Sequence, residues 1–324
     1  MEIYLPKLTK LMAKIFQTAD TLMMVRPANF GFNEQTASNN AFQTNDTSRP
    51  TSEIQQLAIE EFDGFVAKLR EAGVNVIVVD DTAEPPKADA VFPNNWVTFH
   101  QDGRLITYPM YAPVRRLERR EDILERLTVQ FAYTERIHLE DYEQENRFLE
   151  GTGSMILDRP NKIVYACLSP RTDKALLREY CSIIGYEMVA FTAMDANGQE
   201  IYHTNVMMAL GKAFVVICLD TLRDPSERRT LMNKFAATGK EVIEITLDQM
   251  VHFAGNMLQV RNTAGDTFLV MSEQAFKSLT PAQIVLIEKH TNILYSPIPT
   301  IETYGGGSAR CMMAEVFLPN PSEH

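Results

Sequence analysis

Short runs of β-branched and apolar residues alternate along this chain with longer segments whose apolar residues recur at helical spacing. That alternation restricts the possible folds more than any other feature. Helical periodicity is expected over residues 51–72, 114–131 and from starts near Thr172, Pro225 and Ser272. In the first, Leu57, Ile59, Phe62, Phe65, Val66 and Leu69 supply an apolar face, Ser52 is the expected cap and Gly73 the stop. Asp224 and Ser272 are expected to start the last two. Strand-like runs cover 74–79, 91–99, 162–168, 213–219, 241–247 and 267–271. The helix starts recur at intervals of roughly 50–60 residues, so the chain reads as about five units of strand, strand, helix, strand. Identity between the units is absent, and the repeat rests on pattern. No Gly-rich phosphate loop follows a strand, which weighs against a doubly wound sheet. A single α/β domain with radial repetition over residues 21–324, after a short extension at 1–20, is the expected organisation.

A chain of 324 residues with 45% hydrophobic and 23% charged residues has material for a sizeable core. Its net charge of −11 argues against a nucleic-acid partner, because phosphate neutralisation needs a basic face. The densest basic run, Arg115, Arg116, Arg119 and Arg120, alternates with Glu118 and Glu121 and reads as a solvated helix face. Four scattered cysteines without CxxC spacing argue against a disulfide framework and for a reducing, cytoplasmic setting. No apolar run is long enough for a bilayer, and residues 1–19 lack a signal-peptide h-region. The expected partner is a small-molecule substrate, with self-association compatible and no membrane or nucleic acid.

Three local sequences place reactive groups where strands meet glycine-rich loops. In Tyr304-Gly305-Gly306-Gly307-Ser308-Ala309-Arg310-Cys311, the glycines let backbone approach a ligand closely, and Cys311 precedes an apolar run, 312–318. Arg310 is placed to favour its thiolate if the guanidinium turns towards the sulfur. Cys167, Cys181 and Cys218 sit among apolar residues and read as packing. In Tyr202-His203-Thr204-Asn205, a histidine precedes an apolar run and is suited to proton transfer. In Glu150-Gly151-Thr152-Gly153-Ser154, a carboxylate precedes a flexible turn and is suited to orienting an imidazole. Taken singly, each has an ordinary structural explanation. Together they occupy similar places in different units, and a radial fold would bring them to one mouth.

With these residues in order, the chain resembles the guanidino-group-modifying (pentein) superfamily, which includes arginine deiminase, dimethylarginine dimethylaminohydrolase and the amidinotransferases. The resemblance spans about residues 22–317: an Asn-rich stretch, Glu-Gly-x-Gly, His-x-Asn, then a Gly-rich loop and Cys. The opening Val25-Arg26-Pro27-Ala28-Asn29-Phe30-Gly31-Phe32-Asn33 is most similar to an amidinotransferase-like branch associated with citrulline utilisation. It implies a five-bladed α/β propeller with pseudo-fivefold repeats around a central channel. It also implies Cys311 as nucleophile, His203 as acid/base and Glu150 beside it, with no metal or organic cofactor.

The sequence departs from the superfamily where a guanidinium is usually held by aspartates. Here the stretches read Phe92-Pro93-Asn94-Asn95-Trp96 and His203-Thr204-Asn205, and Ser154 stands near the place of a third aspartate. Amides offer donors and acceptors without charge, which suits a neutral ureido group. Asn95 and Asn205, with Asn94, are therefore expected to bind the head of citrulline in preference to arginine, with Trp96 walling the channel. Arg26, Arg147 and Arg310 are the expected candidates for an α-carboxylate anchor. The expected reaction is hydrolysis of a C–N bond. Amidino transfer, arginine-deiminase or dimethylarginine-hydrolase chemistry, and a non-catalytic binding protein are the alternatives.

Overall fold

The computed structural model describes residues 15–37 and 40–321, so most of the N-terminal extension expected over 1–20 lies outside the described residues. Its strands form five three-stranded sheets of one topology. In the second sheet, Val97–Phe99 runs antiparallel to Arg104–Thr107, which runs parallel to Glu135–His138. The third repeats this with Ile156–Asp158, Ile163–Cys167 and Glu187–Phe191. The fourth uses Met208–Leu210, Phe214–Ile217 and Glu241–Glu244, and the fifth Leu258–Arg261, Thr267–Ser272 and Asn292–Ser296. The first sheet draws on both ends of the chain: Thr21–Arg26 pairs parallel with Asn75–Asp80 and antiparallel with Ala314–Glu315.

This topology follows from connection chemistry. In the second to fifth sheets the antiparallel step is made by tight loops, with Gly103 and Gly265 at positive φ in two of them. The parallel step needs a crossover, and each crossover is helical. The helices are Thr51–Glu71, Glu121–Gln130, Lys174–Ile184, Pro225–Ala237 and the pair Glu273–Ser278 and Pro281–Glu288. Asp173, Asp224 and Ser272 accept backbone N–H groups at three of their starts. The expected cap at Ser52 is not used, because the first helix begins at Thr51 after Pro50 with no side-chain cap bond.

Middle strands are buried on both faces. All of Ile163–Cys167 and Phe214–Ile217 are buried, which explains their continuous apolar runs. Fully buried Phe62, Phe65 and Phe214 each contribute about 1.5–3 kcal/mol of apolar burial before entropy is counted.

A short helical turn precedes the first strand of several sheets, at Pro93–Asn95, Gly151–Ser154, Thr204–Met207 and Ala309–Met312. Before the fifth sheet, residues 252–255 also turn. The run 91–99 is therefore not one strand: Pro93 cannot donate to a ladder, and only Val97–Phe99 pairs. Likewise Cys311 lies in a helical turn, and only Ala314–Glu315 of the run 312–318 is a strand. Turn 93–95 packs against turns 151–154 and 309–312, and turn 151–154 against turn 204–207. Leu258–Arg261 touches Met208–Leu210, Thr267–Ser272 touches turn 309–312, and Ala314–Glu315 touches Val97–Phe99. The contacts between sheets thus close on themselves.

Candidate active site

The turns deliver their side chains to one place. Glu150 immediately precedes the turn 151–154 and is fully buried. Its Oε2 lies 2.7 Å from His203 Nε2 and 3.4 Å from an Arg171 guanidinium nitrogen. Its Oε1 accepts the Tyr111 backbone N–H at 2.9 Å. Burial would raise this carboxyl, but the Arg171 charge and the His203 hydrogen bond outweigh it and hold Glu150 well below the usual carboxylate range. Ser154 ties the turn down, accepting from the Glu150 N–H and donating to the Arg171 carbonyl.

Burial pushes His203 down to about 4, against the pull of Glu150 and with the Arg171 and Arg115 charges adding to the fall. The ring is therefore neutral near pH 7. A carboxylate only accepts, so Nε2 carries the hydrogen and Nδ1 keeps its lone pair. Two glycines make room for this arrangement. A Cβ at Gly153 would stand 2.4 Å from Asn95 Nδ2 and 2.7 Å from His203 Nδ1. Gly151 has φ +47 and passes so close to the Asn94 carbonyl that a Cβ would stand 2.4 Å from its oxygen.

Cys311 shares the small cavity, about 20 Å3, with His203, Asn95, Arg115, Arg171, Asp89 and Gly305–Gly307. Two amide nitrogens, Asn205 Nδ2 and Asn256 Nδ2, each donate to its sulfur at 3.4 Å. Asn256 is locked in that sense by the Arg310 N–H, which donates to its Oδ1 at 3.0 Å. The other cysteines are packing residues: burial pushes Cys167 and Cys181 up to about 12 and Cys218 to about 11.

Arg115 overturns the expectation of a solvated basic face. Residues 113–118 form a tight three-per-turn helix that turns Arg115 inward, and its side chain is buried. It holds Glu118 through two bonds of 2.8 and 2.9 Å and donates to Asn95 Oδ1 at 2.9 Å. Arg116, Arg119 and Arg120 are half-buried, pairing with Glu143 and Asp122.

Among the expected residues, Cys311, His203 and Asn95 line this cavity, with Glu150 bonded to His203 and Asn205 to the Cys311 sulfur. Asn94 stands just behind it, donating to Thr152 Oγ1. Trp96 is elsewhere: it is packed in the core with Val97, Phe99 and Leu105 and does not line the cavity. The three expected anchors are also elsewhere. Arg26 pairs with Asp63, Arg147 with Asp173 and Glu145, and Arg310 donates to the Met313 carbonyl and to Glu315. Sequence reasoning missed Arg115, Arg171, Asp89 and Asn256. Only Asn256 had a usable signal, since Gly255-Asn256 precedes an apolar run in the fifth unit as His203-Thr204-Asn205 does in the fourth.

The model of the eukaryotic N,N-dimethylarginine dimethylhydrolase family matches residues 26–318. The chain belongs to that family. It is thereby a pentein, homologous to hydrolases acting on C–N bonds of guanidino compounds. No curated protein sequence matches it. Among solved structures, this dimethylhydrolase-family chain is similar to the N-terminal domain of ArgZ, an arginine dihydrolase from the ornithine–ammonia cycle in cyanobacteria. The TM-score is 0.71 at 16% identity, covering 94% of this chain and 99% of that one. Unliganded AgrE matches with a TM-score of 0.71 at 18% identity over 96% of this chain, but only 40% of AgrE is covered. A dimethylarginine dimethylaminohydrolase variant in adduct with S-methyl-L-thiocitrulline gives 0.60 at 14% identity, over 91% and 99% of the two chains. At these identities the structures speak for the fold. Among the described residues, no helix is long and apolar enough to cross a membrane.

Proposed function

We propose that the protein hydrolyses a C–N bond of a ureido amino acid, citrulline before arginine, through a covalent intermediate on Cys311. The observation that carries this reading is a pair of unpartnered amide atoms. Asn95 must turn its oxygen to Arg115, which only donates, and this leaves Asn95 Nδ2 buried without a partner. Asn205 turns its nitrogen to the sulfur, which leaves Asn205 Oδ1 buried without a partner. One free donor and one free acceptor match a ureido head, whose oxygen accepts and whose NH2 donates. A guanidinium has only donors, and would face the Asn95 N–H with another.

Side chains suited to the amino-acid end line the same cavity. Arg115 and Arg171 give its wall positive charge, and Asp89 presents a buried Oδ1 without a hydrogen-bond partner. Those opposite charges suit an α-carboxylate and an α-ammonium. The closed ring of contacts between sheets supports a five-bladed α/β propeller with the site at its centre.

In this mechanism the sulfur attacks the ureido carbon while neutral His203 takes the thiol proton. The C–N bond to the side-chain nitrogen breaks, and that nitrogen leaves as an amine with the proton from His203. Water, deprotonated by His203, then cleaves the S-carbamoyl group, and the carbamate breaks down to ammonia and carbon dioxide. Glu150 holds the ring and stabilises it while charged. A second reading is arginine as substrate, favoured by the likeness to ArgZ and by the free Asp89 oxygen. The test is a panel of citrulline, arginine, methylated arginines and agmatine, with ammonia and amine products both assayed. Arginine or a methylated arginine exceeding citrulline in kcat/KM would overturn the preferred reading. Agmatine, lacking the carboxylate, is expected to be poor.

A further inference from the structure

A second cavity, of about 270 Å3, shares no lining residue with the catalytic one. It lies between the second and third sheets, under Phe317, and is lined by Arg159, Arg104, Lys162, Asp102, Tyr186 and Ile184 among others. On a chain with net charge −11, three basic side chains face one acidic one here.

Arg159 is the unusual member. Its side chain is only 6% exposed, yet among the described residues its guanidinium donates no hydrogen bond. Its ion-pair partner, Glu315 Oε2, is 3.7 Å away and already takes a 2.9 Å bond from Arg310. The guanidinium carbon lies over the Phe317 ring, 3.9 Å from its centroid, and this contact uses none of the N–H donors. A guanidinium has five N–H donors, and those of Arg159 without a protein partner keep some solvent access and stay open to a ligand. The neighbouring cations differ. Arg104 is occupied by Asp102 at 2.6 Å and by the Ile183 carbonyl, whereas Lys162 is exposed and without an ion pair among the described residues.

We propose that this cavity binds a small organic carboxylate. The carboxylate would take the two parallel N–H donors of Arg159, Lys162 would add charge at the rim, and the apolar body would lie against Phe317, Tyr186 and Ile184. The volume equals that of about nine liquid waters, which fits an anion the size of benzoate.

Benzoate is the probe, titrated calorimetrically into the full chain at fixed pH and salt. The expected result is one site per chain that a saturating amount of the turned-over substrate does not displace. The uncharged isostere benzamide should not bind. Lys162→Glu, an exposed change, should weaken benzoate at least tenfold while leaving turnover without benzoate unchanged, and Arg159→Met should abolish binding. Displacement by substrate, equal binding of benzamide, wild-type affinity in Lys162→Glu, or no binding at millimolar benzoate would each overturn the proposal. The Lys162→Glu result decides the matter even where Arg159→Met does not fold.

Discussion

Arg115 donates to Asn95 Oδ1 at 2.9 Å, and this single bond decides which end of the Asn95 amide faces the catalytic cavity. A donor-only partner forces the oxygen outward and the nitrogen inward. The Asn95→Asp, Asn205→Asp double variant replaces that inward donor with an acceptor. The citrulline-to-arginine ratio of kcat/KM is expected to fall by about tenfold or more, since a mismatched buried polar pair costs at least 1–3 kcal/mol. A ratio that does not fall removes the amides from head-group recognition.

Cys311→Ser is expected to abolish turnover with little change in thermal unfolding, because the substitution is small and the hydroxyl a far weaker nucleophile. Cys167→Ala, Cys181→Ala and Cys218→Ala are expected to keep kcat, since these thiols are buried and held protonated. Loss of kcat in one of the three, with unfolding unchanged, would move the nucleophile there.

His203→Ala is expected to lower kcat by about 10²–10⁴-fold. The pH profile carries a sharper expectation. With its folded pKa lowered to about 4, His203 stays an unprotonated base as pH falls through 6.5, and the base is lost only as pH approaches 4. The acid limb of kcat/KM should therefore not show a midpoint near 6.5. Finding one there would assign an ordinary imidazole to the base.

Gly153→Ala is expected to cut kcat by more than tenfold, because the new methyl would displace Asn95 Nδ2 and His203 Nδ1 together. Gly198→Ala is the control. It has positive φ and open space around it, so it should cost about 1 kcal/mol of stability and leave kcat alone. Equal kinetic effects would mean that the glycine serves the backbone and not the site.

Glu302 packs against the Cys311 loop and accepts from Ser308 Oγ at 2.6 Å, while the Ser308 carbonyl accepts the Cys311 N–H. Burial raises its carboxyl to about 7, with the bonds from Ser272 and Ser308 lowering it only in part. Between about 4.5 and 7 the folded state thus keeps a proton that the unfolded state has released, and stability from this group is lost as pH rises through that window. Glu302→Gln should remove the dependence, so its denaturant midpoint should gain on wild type between pH 5 and 8. The gain should be at most about 3 kcal/mol. Parallel pH profiles for the two proteins would rule this out.

The sequence by itself determined the repeating unit and where three candidate site residues fall within it. Period-2 and period-3.6 patterns are local, and so are glycine loops, so five strand–helix units and the residues Glu150, His203 and Cys311 were legible without coordinates. Whether a side chain faces solvent or a site depends on what packs against it, and that is not local. Arg115 reads as one of four surface arginines until a tight turn rotates it against Asn95, and Trp96 reads as a channel wall until the core encloses it. Arg171 reaches Glu150 from a loop 21 residues further along the chain. Only the closing of the last strand, Ala314–Glu315, on Thr21–Arg26 completes the first sheet, an antiparallel pairing that joins the two ends of the chain.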